Sequence, residues 1–216
     1  LAWVATRSWK VLALVAASFL GMAFIDHYDY AVQTLSIVFV CTIFCVVLGV
    51  PIGIAVAHRP RLYAWMRPVL DLMQTVPTFA YLVPILLLFG FGPVVGLIAS
   101  AIYACPPMVR NTLLALQRVP TEIVESGEMA GATPRQLFWW VRFPIALPTI
   151  MIGVNQATMA ALSMVIIAAI IGSSADIGWE VLSTMRRANF GESLLAGIVP
   201  ALLAAHSDFV PALREN

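Results

Sequence analysis

Residues 147–171 read LPTIMIGVNQATMAALSMVIIAAII, with no charged side chain anywhere in the stretch. A helix needs about 20 predominantly apolar residues to cross the hydrocarbon core of a bilayer, so this segment is long and apolar enough to be a membrane span. The rest of the chain has the same character. Of 216 residues, 61% are hydrophobic and 11% charged, against about 25% charged in a soluble domain. That balance excludes a soluble globular domain and a disordered chain. A net charge of +1 excludes nucleic-acid binding by bulk charge. Cys41, Cys45 and Cys105 have neither metal-ligand nor C-x-x-C spacing and read as packing residues.

Outward from that span, further apolar runs occupy residues 11–25, 31–57, 78–89, 94–103 and 194–205. The first follows Arg7 and Lys10 and reads as an uncleaved span, because no small-residue cleavage site comes after it. The second contains Gly49 and Gly53, a G-x-x-x-G spacing that permits close helix contact, with Pro51 between them expected to kink or end the helix. Residues 58–68, with Arg59, Arg61 and Arg67, read as a loop. Asp71, Gln74 and Pro77 interrupt the next run, which predicts a short interfacial helix ahead of span three. Phe91-Gly92-Pro93 is a tight turn, and span four is expected to break at Pro106-Pro107. Asp176, Glu180, Arg186, Arg187 and Glu192 mark a further loop. Pro200 interrupts the last apolar run and His206 and Asp208 end it, so residues 198–216 form an atypical terminus. The expected fold is an all-α polytopic membrane protein, a single domain over residues 1–216 with about five to six transmembrane helices.

Charge placement orients the set. With the N-terminus inside, the cytoplasmic side holds Arg7, Lys10, Arg59, Arg61, Arg67, Arg110, Arg118, Arg135, Arg142 and Arg214, ten of the twelve basic residues, and the outer side only Arg186 and Arg187. The long connection at residues 110–146 is therefore cytoplasmic. Its sequence divides into two short helices. Thr121 is placed to cap the first, with Glu122 and Glu125 near the positive end of its dipole. Gly131 supplies the left-handed residue that ends it. Thr133, Pro134 and Gln136 form a capping box that starts the second, which is expected to stop near Arg142, before Pro144 and Pro148. Ile123, Val124 and Met129, with small Gly127 and Ala130, suit docking against another protein; packing on the chain's own spans is the equal alternative from physics alone.

The spacing Glu125-Ser126-Gly127, three residues, Gly131, nine residues, Val141-Arg142-Phe143-Pro144 resembles the EAA loop of ABC importer permeases. There the pattern is E-A-A, three residues, G, nine residues, I-x-L-P. The resemblance implies a type I importer permease fold in which residues 110–146 form a coupling loop that docks on an ATP-binding subunit. The implied docking residues are Glu122, Glu125, Gly127, Glu128, Gly131, Ala132 and Pro144. Residues 66–77 (MRPVLDLMQTVP), Tyr81-Leu82-Val83-Pro84, 147–156 and 161–165 resemble the glycine betaine/proline branch of that family. What the branch implies is transport of quaternary-ammonium or related osmolytes across a bacterial inner membrane. The implied partners are an ATP-binding cassette subunit, an extracytoplasmic substrate-binding protein, a second permease copy and membrane lipid, with no nucleic acid. No cofactor is implied for this chain; ATP and Mg2+ belong to the partner. The sequence contains no G-x-x-x-x-G-K-[ST], H-E-x-x-H or G-x-S-x-G motif, so no enzyme signature competes with this reading.

Polar groups within spans are costly unless paired, which makes them candidates for function. Asn155, Gln156 and Ser163 fall near one face of span five, and with Tyr81 they are candidates for the solute pathway. Interhelical hydrogen bonding, worth about 0.6 kcal/mol on average in a membrane, is the alternative. Tyr81, Phe79, Tyr103 and Trp179 could face a quaternary ammonium or simply pack. Asp71 is placed to pair with Arg67 four residues before it. Trp139-Trp140 read as an interfacial anchor, and His27, His58 and His206 as solvated loop residues. An ion-coupled secondary transporter would carry ionisable groups deep in its spans, and these spans carry none. A permease of the same family for a different small solute remains the nearer rival.

Overall fold

The computed structural model describes residues 28–171, 177–187, 191, 193, 194, 197 and 198. The expected first span at 11–25, most of the final apolar run and the atypical terminus lie outside the described residues.

Helix α1 covers Tyr28–His58 and runs through Pro51 without ending. Pro51 lies on the exposed face, whereas Gly49 and Gly53 on either side of it are buried. The hydrogen bond lost at proline therefore falls away from the packing, and the helix continues. Residues 60–75, expected in part as a loop, form helix α2 (Pro60–Thr75), with Pro60 in the first turn and Arg59 at the cap. Leu70 is buried, while Leu62, Trp65, Val69 and Leu72 make an exposed apolar stripe. The short helix expected ahead of span three therefore forms, from an earlier start. Val76 is extended (ψ 130°), as a residue before proline prefers, and at Pro77 the chain bends by 91° into α3 (Thr78–Phe89). Twelve residues of helix rise only about 18 Å, short of a bilayer core of about 30 Å.

Gly90 and Gly92, with φ of 74° and 151°, turn the chain at the expected Phe91-Gly92-Pro93 site. Helix α4 (Pro93–Gln117) then passes straight through Pro106-Pro107, where a break was expected. Packing is the reason. Ala104, Pro106, Met108, Val109 and Thr112 are all buried, with α1 and α6 holding α4 from both sides. After the short helix α5 (Thr121–Met129), helix α6 runs over Pro134–Ile170. The expected stop before Pro144 does not occur. Residues Leu137–Arg142 form a π-helix in which the N–H of Phe143 bonds to the carbonyl of Phe138, five residues back. That wider register absorbs the missing donor at Pro144 and lets the helix proceed. Residues Ile177–Arg186, read from sequence as loop, form helix α7 on the flank of α6 and α1. Ile177 is buried there and its N–H donates to Thr34 Oγ1 at 3.3 Å.

All described elements are helices. Asp29–His58, Pro93–Gln117 and Pro134–Ile170 are each long and apolar enough to cross a membrane, and the bent pair α2–α3 is a fourth candidate. The core is the α1–α4–α6 bundle. A Cβ added at Gly53 would meet Thr112 Cβ at 2.6 Å, and one at Gly49 would meet Met108 Cγ at 2.7 Å. A Cβ at Gly153 of α6 would meet Asn111 Cβ at 2.7 Å. Thr42 and Thr158 tie α1 to α6 by a 3.2 Å hydroxyl bond. Cys41 and Cys45 are fully buried in this bundle, as packing residues should be.

Gly53→Ala is expected to destabilise the bundle more than Gly49→Ala. The first meets β-branched Thr112 and, at 3.0 Å, the backbone carbonyl of Val109, whereas at the second the nearest backbone atom stands 3.6 Å away and the tight contacts are to Met108 alone. Overpacking of this kind costs roughly 1–3 kcal/mol. Thermal unfolding of the two variants in detergent checks the order; equal midpoints would contradict it.

Candidate functional site

The connection between α4 and α6 takes its shape from main-chain chemistry. Thr121 is the first helical residue of α5, not its cap: Pro120 stands at the cap position and makes no side-chain bond. Glu122 lies in the first turn, as expected. At the other end Ala130 caps the helix and Gly131 follows with φ +80°. The N–H of Gly131 donates to the carbonyl of Glu128 at 2.9 Å, and that of Ala132 to the carbonyl of Gly127 at 3.1 Å. This pair of bonds is a Schellman motif, and its left-handed position favours glycine. Two residues on, the capping box forms as its sequence predicts. Gln136 N–H donates to Thr133 Oγ1 at 3.4 Å, and Thr133 N–H to Gln136 Oε1 at 2.9 Å. Only a four-residue link, residues 130–133, separates the helices.

Helix α5 divides into two faces. Val124 is buried in the same cluster as Val119, Leu137 and Ala146. Gly127 lies so close to the π-segment that an added Cβ would meet Leu137 Cδ1 at 2.7 Å and would have to displace the end of that side chain. Glu122, Ile123, Glu125, Glu128 and Met129 face outward, Met129 being 84% exposed. Among the described residues the ion pairs are Arg67–Asp71 and Arg110–Asp71, so none of these glutamates is neutralised by one. The outward face is thus acidic with two exposed apolar side chains, on a helix held firmly from behind. Pro144 lies exposed within α6, just beyond the π-segment.

Phe138, Trp139 and Phe143 cluster with ring centroids 5.1–6.0 Å apart. His58 stacks edge-on against Phe138 at 5.3 Å and bonds to the carbonyl of Ile54 at 2.8 Å. It therefore closes the end of α1 instead of lying free in a loop. Trp139 and Trp140 are 60% and 81% exposed, as interfacial anchors would be.

The candidate pathway residues are only partly brought together. Gln156 and Ser163 share an exposed strip of α6, with half-buried Asn155 beside Gln156. The Ser163 hydroxyl is turned back to the carbonyl of Met159 at 3.0 Å. Tyr81 belongs elsewhere: its hydroxyl donates to the carbonyl of Met73 at 2.7 Å, bracing the α2–α3 bend. Sequence reasoning missed Asn111, whose Nδ2 donates to the carbonyl of Pro107 at 2.8 Å and to Gln156 Oε1 at 2.7 Å. The expected break at Pro106-Pro107 had put Asn111 in a loop. It also missed Arg110, which pairs with Asp71 across from α4 to α2, while the predicted partner Arg67 stands at 3.9 Å.

Several helices long and apolar enough to cross a membrane, a bent helix pair and a two-helix loop on the longest described helix define an all-α polytopic membrane fold of the type I importer permease kind. Solved structures share this fold. An inward-facing MetNI methionine ABC transporter aligns with a TM-score of 0.78 and 20% identity, over 90% of this chain and 95% of that one. An amino acid ABC transporter crystallised with histidines aligns with a TM-score of 0.65 and 17% identity, over 96% of this chain and 93% of that one.

Residues 49–210 match the family described as binding-protein-dependent transport system inner membrane component, and the chain belongs to that family. The glycine betaine/proline betaine transport system permease protein ProW of Escherichia coli is 42% identical over 87% of this chain and 52% of its own length. OpuAB of Bacillus subtilis, a glycine betaine permease, is 38% identical over 95% of this chain and 72% of its own. GbuB of Listeria monocytogenes, a glycine betaine/carnitine permease, is 40% identical over 94% and 72% respectively. The chain thus spans about half the length of ProW.

Gly127→Val should drive a side chain into Leu137 and loosen α5 from the π-segment, and Leu137→Ala in the same chain should restore part of the contact. Amide hydrogen exchange over Thr121–Met129 reads this directly. Exchange must rise in the single variant and fall back in the double; unchanged protection in both would show that the Gly127–Leu137 contact does not hold the helix.

Proposed function

We propose that this chain is the membrane-spanning permease subunit of an ATP-driven importer for quaternary-ammonium or related osmolytes of the glycine betaine, proline betaine and choline class. The observation that carries the reading is the geometry of α5, an acidic helix with exposed Ile123 and Met129, seated by Gly127 on the π-segment of the longest span. Such a helix is a rigid plug for a complementary groove. Glu122, Glu125, Glu128, Gly131 and Ala132 form or shape the docking surface, and Pro144 lies where the loop passes into the span. The partner is an ATP-binding cassette subunit, which binds ATP and Mg2+ and performs hydrolysis. Its closure pushes α5, and α5 carries α6 with it.

Several features support the rest of the assignment. The permeases ProW, OpuAB and GbuB carry glycine betaine in their names. The described spans present amides and hydroxyls at Asn111, Asn155, Gln156 and Ser163, which suits a zwitterion without a fixed countercharge. A substrate-binding protein on the outer side loads the solute. Two copies of the chain flank one pathway, because the exposed strip of α6 cannot enclose a solute alone. The N-terminus lies on the cytoplasmic side, consistent with the bias of Arg and Lys.

Gly131→Val should abolish capture of the ATPase subunit and ATP-driven betaine uptake, whereas Gly131→Asn should retain both to within a few fold. A β-branched residue is strained at φ +80° and Asn tolerates it. Co-purification and uptake in proteoliposomes measure the pair. If the valine variant captured the ATPase and transported normally, α5 would not be the coupling element.

A further inference from the structure

The hydrogen bonds between α4 and α6 have a direction. A main-chain carbonyl can only accept, so the Asn111 atom 2.8 Å from the carbonyl of Pro107 must be its amide nitrogen. The same nitrogen lies 2.7 Å from Gln156, and its second N–H is directed there, so the Gln156 atom receiving it must be the carbonyl oxygen Oε1. This orientation turns the Gln156 Nε2 group, with both of its N–H donors, away from Asn111 on a residue that is exposed.

Two unpaired donors facing lipid would be costly, so that strip of α6 addresses a polar acceptor. Among the described residues no acceptor pairs with these donors, and the carboxylate of Asp71 is engaged by Arg110 and Arg67. Gly153, one turn before Gln156, is what makes the arrangement possible, since a Cβ there would meet Asn111 Cβ at 2.7 Å and separate the helices. We infer that the outward-turned amide of Gln156, oriented by Asn111, is a hydrogen-bond donor site for the carboxylate of a zwitterionic solute on the translocation path. This rests on the reading of the chain as an osmolyte permease. Gln156 touches the solute and Asn111 is a positioning residue. A neutral donor suits a transporter: it recognises the carboxylate by charge-assisted bonds without the fixed charge that would hold the solute in place.

The test is ATP-driven glycine betaine uptake in proteoliposomes holding the complete transporter, with rates expressed per assembled complex. Gln156→Leu and Gln156→Glu remove the donors and should lower uptake about tenfold or more, as loss of a hydrogen bond to a charged group does. Gln156→Lys restores donors in a different shape and should keep uptake within about threefold. Asn111→Asp accepts instead of donating, reverses the Gln156 amide and should behave like Gln156→Leu. A structural role predicts the opposite order, with near-isosteric Glu mild and Lys severe, and that order overturns the inference. So does a Gln156→Leu variant that no longer assembles as a two-copy complex, which would make the partner copy the acceptor. An unaltered transporter that carries no betaine overturns the reading of the chain and the inference with it. One that carries betaine while all the variants match it overturns the inference alone.

Discussion

The close approach of α4 to its two neighbours governs the rest of the molecule. Met108 and Thr112 press on Gly49 and Gly53 of α1, and Asn111 presses on Gly153 of α6, at separations that leave no room for a single Cβ. Lipid tails are as apolar as leucine, so spans gain little by hiding from their solvent; they gain by packing backbones closely. The glycines make that possible, and everything polar in the bundle depends on the resulting register. Thr42 reaches Thr158, Cys45 reaches the carbonyl of Ala101, and Asn111 reaches Gln156 only because the helix axes lie this close.

The same packing explains how the spans tolerate their prolines. Pro51, Pro106, Pro107 and Pro148 all lie inside helices, where each removes a donor. In water such positions end helices, because the freed carbonyl finds solvent and the chain has other conformations to adopt. Here the neighbours leave α4 no alternative path. At Pro144 the adjustment is local, a shift to five-residue bonding through Leu137–Arg142. Its consequence reaches the loop. With no break between Pro134 and Ile170, α5 is joined to a membrane span by the Gly127–Leu137 contact and a four-residue link.

What could be read from sequence alone follows from the same distinction. Features decided within a few residues were legible: the left-handed Gly131, the Thr133–Gln136 box, the turn at Gly90–Gly92, a short helix ahead of α3 and the close-contact glycines. Features decided between distant residues were not. Pro106-Pro107 looked like a boundary because local propensity says so, and that one misreading displaced Asn111 and Arg110 from the bundle. The Arg67–Asp71 pair, four residues apart, was legible and forms, whereas its second partner Arg110 comes from a different helix. Thr121 looked like a cap because threonine favours that position, but Pro120 is already extended (ψ 131°) and takes it. In the candidate pathway Gln156 and Ser163 were legible by helical spacing. Tyr81 was not separable from them, since nothing local says that its hydroxyl reaches back across a bend to Met73.

Asn111 and Arg110 adjoin in sequence yet reach different helices: Asn111 bonds to Gln156 of α6, and Arg110 pairs with Asp71 of α2. Successive residues of a helix point about 100° apart, so a single turn of α4 ties both of its flanks. The two ties differ in kind. Towards α2 one carboxylate meets two guanidinium groups, since Arg67 lies 3.9 Å from Asp71 as well. Towards α6, where Gly153 lets the backbones approach, the tie is made by neutral amides. A charge left unpaired inside so close a contact would be costly, and a chain with 11% charged residues keeps its charged tie on the other side of the helix.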